Sequence, residues 1–265
     1  LQYLTRVSEI NSLTFYHTDF EDDAAPAEAD IAFYGNSRCS LINPTLGPSL
    51  HIIRNPLSVI VSAYYSHLKT HPTEGWPQLV PQRQLLREHD KVAGMFLTLA
   101  FLERADLAPR AIGPLLAMRE WDYGSKKYQT ICAEAAVLSP YQTFSPAIRT
   151  AFPDRRLAFP DDEEFAFVRF AEGRAVGNRN NDSHYRSGAR DDWRHELPPA
   201  VIAYIRARFA DVLSTYYADA MADQEDDAIN IARCRQSVQE DGWWQRLRRG
   251  VRYRAGEWRR NRPPT

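Results

Sequence analysis

An α/β fold is what this sequence predicts: a mostly parallel central sheet flanked by helices. Three observations lead there. First, short apolar or β-branched runs at 13–17, 31–34, 50–53 and 127–132 alternate with longer stretches of helical periodicity. Second, residues 49–67 read as a buried strand, a sharp turn and a helix, with Pro56 placed where a first helical turn needs no N–H. Third, a chain of 265 residues with 44% hydrophobic and 25% charged residues can bury a substantial core, which excludes wholesale disorder.

The elements follow in order. Residues 1–10 form an amphipathic helix with Leu1, Leu4 and Val7 on one face. Residues 13–17 and 31–34 are strands joined by the acidic loop 19–30. After the strand and helix of 49–67, Pro72 and Pro77 break the chain around Trp76. Residues 85–116 are helix-rich, with Phe96, Leu97, Leu99, Leu102 and Leu107 as the apolar face. A strand at 127–132 precedes a helix at 140–152, where Phe144, Ile148 and Phe152 recur every four residues. The acidic run 161–164 suits a helix start. The Gly/Asn/Asp-rich loop 173–183 is expected to be a mobile cover, and a single helix is expected from about 198 to 217.

A domain at 1–220 is set apart from a tail at 221–265. There Trp243, Trp244, Leu247, Val251, Tyr253 and Trp258 mix with eight arginines between Arg246 and Arg262. Such a tail suits docking to a partner or to itself, or peripheral contact with a membrane surface. The net charge of −1 gives no case for nucleic acid. Cys39, Cys132 and Cys234 are odd in number and widely spaced, so they make neither a disulfide framework nor a metal pattern. A cytoplasmic, reducing location is the expectation. No apolar run is long enough to cross a bilayer.

Two segments carry chemistry. In the first, Arg54 leaves the carboxyl end of its strand, where open α/β sheets bind ligands, and Ser62 lies two helical turns on. A cationic fork and a hydroxyl converging there suit a phosphate. In the second, Arg186, Ser187 and Gly188 follow the flexible loop. Arg186 can fork onto a phosphate, Gly188 lets backbone N–H groups close on an anion, and Trp193 anchors the segment.

Arg54-Asn55-Pro56 with Ser62 resembles the 3′-phosphate-binding segment of sulfotransferases that use PAPS (3′-phosphoadenosine 5′-phosphosulfate), which have a P-loop-NTPase-like fold. Arg186, Gly188, Asp192 and Trp193 match that family's C-terminal Arg-Lys-Gly-x-x-Gly-Asp-Trp motif. Ser187 stands where lysine is usual, and Asp191 replaces the second glycine. Glu134 and Pro140 keep the spacing of the family's Tyr-Glu-Asp strand end, with Ala133 and Ala135 in place of Tyr and Asp. Residues 64–70 with Trp76 resemble the segment after the central helix in bacterial sulfotransferases. The resemblance implies that Arg54, Ser62, Arg186, Ser187 and Gly188 hold the 3′-phosphate and that Phe170 lies on the adenine. It also implies sulfuryl transfer from PAPS to a hydroxyl or amine acceptor, carbohydrate or small molecule, leaving adenosine 3′,5′-bisphosphate. His17, at the end of a strand ahead of Arg54, is the candidate base; His67 and His71 are weaker candidates.

The family's 5′-phosphosulfate loop has no counterpart, because no Gly-x-x-x-x-Gly-Lys occurs in this sequence. Leu1 reads as the inside of the helix that would follow such a loop, so a loss of upstream sequence is expected. The alternative is a non-catalytic relative that serves as a binding or assembly module. A P-loop kinase is disfavoured, since neither a Walker lysine nor an acidic magnesium motif stands out.

Overall fold

The computed structural model describes residues 1–20, 23–35, 38, 48–108 and 111–221. Almost all of the basic, aromatic tail, together with Cys39 and Cys234, lies outside the described residues. The chain divides into two compact units, Leu1–Leu197 and Pro198–Thr265.

The first unit opens with α1 (Gln2–Asn11), which buries Tyr3, Leu4, Val7 and Ser8. Leu1 stays 50% exposed, so Tyr3 takes the place on the apolar face expected for Leu1. The helix ends at Ser12 in the left-handed conformation (φ 52°), whose N–H caps the Glu9 carbonyl. β1 (Phe15–Thr18) runs parallel to β2 (Ile31–Tyr34), with His17 opposite Phe33. β3 (Ser49–Ile53) runs parallel to β4 (Tyr128–Cys132), with Ile53 opposite Cys132. The parallel α/β class is therefore as expected, but the described strands make two pairs rather than one continuous ladder. Apolar packing joins what hydrogen bonds do not. Phe15, Ile31, Phe33, Leu50, Ile52 and Ile131 pack on a cluster that includes Tyr3, Val7, Phe144 and Ile148.

Helices fill the rest of this unit. α2 (Pro56–Tyr65) starts at Asn55, whose side chain accepts the Leu57 N–H at 3.0 Å, with Pro56 in the first turn. A π-helical turn, Ser66–Thr70, prolongs it. α3 (Leu79–Arg87), α4 (Lys91–Leu102) and α5 (Pro114–Glu120) follow. Asp90 caps α4 through the Ala93 N–H at 2.9 Å. α2 and α4 approach closely because position 94 is glycine: a Cβ there would stand 2.6 Å from the Tyr64 ring. Next come α6 (Ala133–Leu138), α7 (Pro140–Ala151), α8 (Phe167–Phe170) and α9 (Trp193–Glu196). The acidic run before α8 makes only a short 3-10 turn, Asp162–Phe165, in which Asp161 accepts the Glu163 N–H.

In the second unit the single helix expected from the sequence is two. α10 (Pro199–Arg208) and α11 (Ala210–Tyr216) are separated at Phe209, which leaves helical geometry (φ −121°, ψ 30°) and buries its ring to 3% exposure. Arg206 donates from Nε to the Ala220 carbonyl at 2.7 Å and closes this unit's end. Among the described residues no helix is long and apolar enough to cross a membrane.

Candidate functional site

The β3–α2 turn is built as the sequence predicts. β3 ends at Ile53, Arg54 follows with its side chain exposed, and α2 begins two residues on. The turn is held from β4's side as well: the Asn55 N–H donates to Glu134 Oε1 at 3.2 Å from the first turn of α6. Two early N–H groups of the helix start are therefore already used, Asn55 by Glu134 and Leu57 by the Asn55 side chain. At 3.6 residues per turn, Ser58, Ser62 and Tyr65 fall on one stripe of α2, one turn beyond Arg54 and onward.

The second segment lies along that stripe. Ser58 Oγ donates to the Arg190 carbonyl at 3.3 Å near the helix start. At the other end, the Arg186 guanidinium sits 4.8 Å from the centroid of the Tyr65 ring. With a rise of 1.5 Å per residue, Tyr65 is about 13 Å along the axis from Pro56. The loop thus runs against α2 with Arg190 at its beginning and Arg186 at its far end.

Arg186 is drawn there by two carboxylates. It reaches Asp192 Oδ2 at 2.5 Å and Glu196 Oε1 at 3.4 Å. Arg179 bonds the same two acids, both at 3.2 Å. Lys91 of α4 and Tyr65 of α2 complete Glu196's shell at 2.5 and 2.8 Å. Burial alone would raise the Glu196 carboxyl, but bonds from Lys91 and Tyr65 and the charges of Lys91 and Arg186 outweigh it and hold it below its ordinary value. Burial, then Glu196, push the Tyr65 phenol up, so it remains a donor. Arg186 is expected from the sequence to fork onto the same phosphate as Arg54; in the structure its fork lies on the Asp192 and Glu196 carboxylates. Ser187 is also turned inward. It is 4% exposed, its hydroxyl donates to Asp192, and its oxygen accepts the Ala189 N–H.

Gly188 is needed for a steric reason. Its φ is +63°, and a Cβ would lie 2.6 Å from the Phe167 ring. Phe170, half-buried on α8, is stacked on Tyr185 at 5.3 Å and 20°. One of its faces is thus covered by protein, which leaves at most the other for a base. The loop 173–183, expected to be a mobile cover, is cross-tied instead. Arg174 donates to the carbonyls of Asn178, Tyr185 and Arg186 and to Ser183 Oγ. Backbone bonds Gly177–Ser187 and Asn180–Arg186 add to these.

His17 lies on the other strand pair, β1–β2, rather than on the pair that ends at Arg54. On β1 its Nε2 lies 3.4 Å from Asp19 and its ring packs 5.5 Å from Phe33. Among the described residues no hydrogen bond, ion pair or ring contact links it to Arg54, Ser62 or the 186–190 loop. His67 is 5% exposed amid His71 and Trp76, with rings at 6.1 and 5.0 Å, and its Nδ1 has no partner. Burial, with His71 and Arg83 nearby, lowers its pKa to about 4. Lys91, Arg174, Arg190 and Glu196 were missed by the sequence reading. The signal for the last was present: Asp192 and Glu196 are four apart, on one helical face, after an arginine-rich loop.

No family model and no curated protein matches the chain. It is similar in structure to a mouse sulfotransferase, SULT7A1, complexed with PAP. The likeness covers 89% of this chain and 84% of that one, at 12% identity and a TM-score of 0.46. At that distance it assigns no activity to this chain.

Proposed function

We propose that this chain is a sulfotransferase-like protein that binds the 3′-phosphate end of PAPS at the β3–α2 turn and moves its sulfuryl group to a hydroxyl or amine acceptor. The observation that carries this reading is the meeting of the 186–190 loop with the first turn of α2, through Ser58 and Arg190, beside exposed Arg54. The two segments with sulfotransferase-like motifs are far apart in sequence, and they adjoin at the carboxyl end of a parallel strand, where such folds hold ligands.

The residues fit the phosphate half of that donor. Arg54 supplies a bidentate cation and Ser62, half-buried one turn beyond Ser58, supplies a hydroxyl. Gly188 keeps the loop backbone close to Phe167, and Phe170 offers its uncovered face to an adenine. Bound PAPS supplies an activated sulfuryl group and a leaving bisphosphate. For the acceptor, His17 is the base: with Nε2 turned to Asp19, Nδ1 is the atom that takes the proton. A carbohydrate or small-molecule acceptor fits this chemistry.

The second reading is a binding module without transfer. It is favoured by the internal use of Arg186, whose guanidinium bonds Asp192 and Glu196. Titration calorimetry with adenosine 3′,5′-bisphosphate tests the site that both readings share. Arg54→Ala is expected to weaken binding by roughly 10- to 100-fold, the worth of a charge-assisted pair. Unchanged affinity would remove the site. Transfer of labelled sulfate from PAPS in a lysate, lost in His17→Ala, separates enzyme from binder.

A further inference from the structure

The geometry points to Arg190, not Arg186, as the second guanidinium that grips the phosphate at the β3–α2 turn. This rests on the reading of that turn as a nucleotide phosphate site. Arg186 is 12% exposed at its side chain, bonded to both Asp192 and Glu196, and seated on Tyr65 at the far end of α2. Moving it to Arg54 would strip two carboxylates, 10% and 5% exposed, of a cation they share. Arg190 has the opposite placement. Its carbonyl is tied to Ser58, one helical turn from Arg54, and its side chain belongs to an exposed residue.

The loop's construction explains the exchange. Ser187 is buried on Asp192, and Gly188 turns the chain through a left-handed conformation against Phe167. Arg186 thus anchors the loop from below, while the residues after Gly188 are carried to the start of α2. The Arg190 backbone is then fixed one helical turn from Arg54, on the stripe that carries Ser58 and Ser62. Two guanidiniums and the Ser62 hydroxyl offer donors to a doubly charged phosphate monoester, while the Ser58 hydroxyl hydrogen stays on the Arg190 carbonyl. Arg186 is a positioning residue and Arg190 a binding residue.

The test pairs two ligands, adenosine 3′,5′-bisphosphate and adenosine 5′-monophosphate, with the unsubstituted protein and four variants. Arg190→Ala is expected to raise the Kd of the bisphosphate about tenfold or more, to change that of the monophosphate less than about twofold, and to leave Tm unchanged. Arg190→Lys should recover part of the loss. Arg186→Lys is expected to lower Tm while the preference for bisphosphate over monophosphate survives at temperatures where the protein is folded. If Arg54→Ala weakens bisphosphate binding and Arg190→Ala does not, the role given to Arg190 is wrong and the site stands. If Arg186→Lys abolishes the 3′-phosphate preference at unchanged Tm, the grip belongs to Arg186. If the unsubstituted protein binds neither ligand, or Arg54→Ala has no effect, the site itself is overturned and the role of Arg190 with it.

Discussion

Two histidines show how a single buried ring sets a pH limit. His51 is stacked on Trp121, with centroids 3.6 Å apart and planes at 11°, and burial lowers its pKa to about 4. His67 is lowered to about 4 as well, by burial first. Both sit below the unfolded value of about 6.5, so the unfolded chain binds more protons between those limits. Their contribution to stability is complete above about pH 6.5 and is lost as pH falls toward 4. Thermal melts from pH 7 to 4.5 should therefore show a falling Tm, and His51→Phe, which keeps an aromatic ring on Trp121, should flatten the fall. A Tm independent of pH over that range would mean both rings reach solvent. Gly188 makes a second prediction at this scale. Gly188→Ala combines a left-handed φ with a clash on Phe167 and should cost about 1–3 kcal/mol in urea unfolding.

The elements differ in how their order is maintained. α2 and α4 are held by apolar burial: Leu57 and Ile60 are fully buried, and so is Met95. Each such side chain contributes about 1.5–3 kcal/mol. The 173–188 segment has little of that and depends on one guanidinium with four acceptors. Arg174→Ala should open it locally: limited proteolysis should cut between 174 and 188 first, while the global unfolding free energy moves by less than about 1 kcal/mol. Equal resistance to cutting in both proteins would show that the backbone bonds alone suffice. The same contrast explains what could be read in advance. The strands and α1, α2 and α7 were legible because apolar period, Pro56 and Asn55 are local signals. The tied loop was not, because Gly, Asn and Asp signal a loop whether or not an arginine fastens it. The break at Phe209 was not legible either: no glycine or proline marks it, and it follows from where a large ring is buried. The ion pairs of Arg186 were not legible for a like reason. A motif gives the residue but not the direction of its side chain, and here Asp192 and Glu196 decide that direction.

Within the first unit, those two acids join parts of the chain that are distant in sequence. Glu196 on α9 receives Tyr65 from α2, Lys91 from α4, and Arg179 and Arg186 from the loop. Helix packing could hold α2 against α4 without it, but the loop is fastened to α2 through this hub as well as through the Ser58–Arg190 bond. Removing the carboxylate would leave Arg186, 12% exposed, with Asp192 alone, and would take the acceptor from the half-buried Tyr65 hydroxyl. Breaking a fully buried pair costs about 3–5 kcal/mol, and the 46% and 41% exposure of Lys91 and Arg179 lets water recover part of that. Glu196→Ala should therefore destabilise by about 3 kcal/mol, and Glu196→Gln, which still accepts from Tyr65 and Lys91, by less. Acid should mimic the substitution. Because the folded carboxyl titrates below its ordinary value, its contribution is present at neutral pH and is lost as pH falls through the folded pKa. The decisive measurement is a double-mutant cycle between Glu196→Ala and Arg186→Ala in urea unfolding. A coupling of about 1 kcal/mol or more is expected if the two act as one buried unit. Additive effects would mean that the loop is held on α2 without them, and the anchoring role of Arg186 would go with that result.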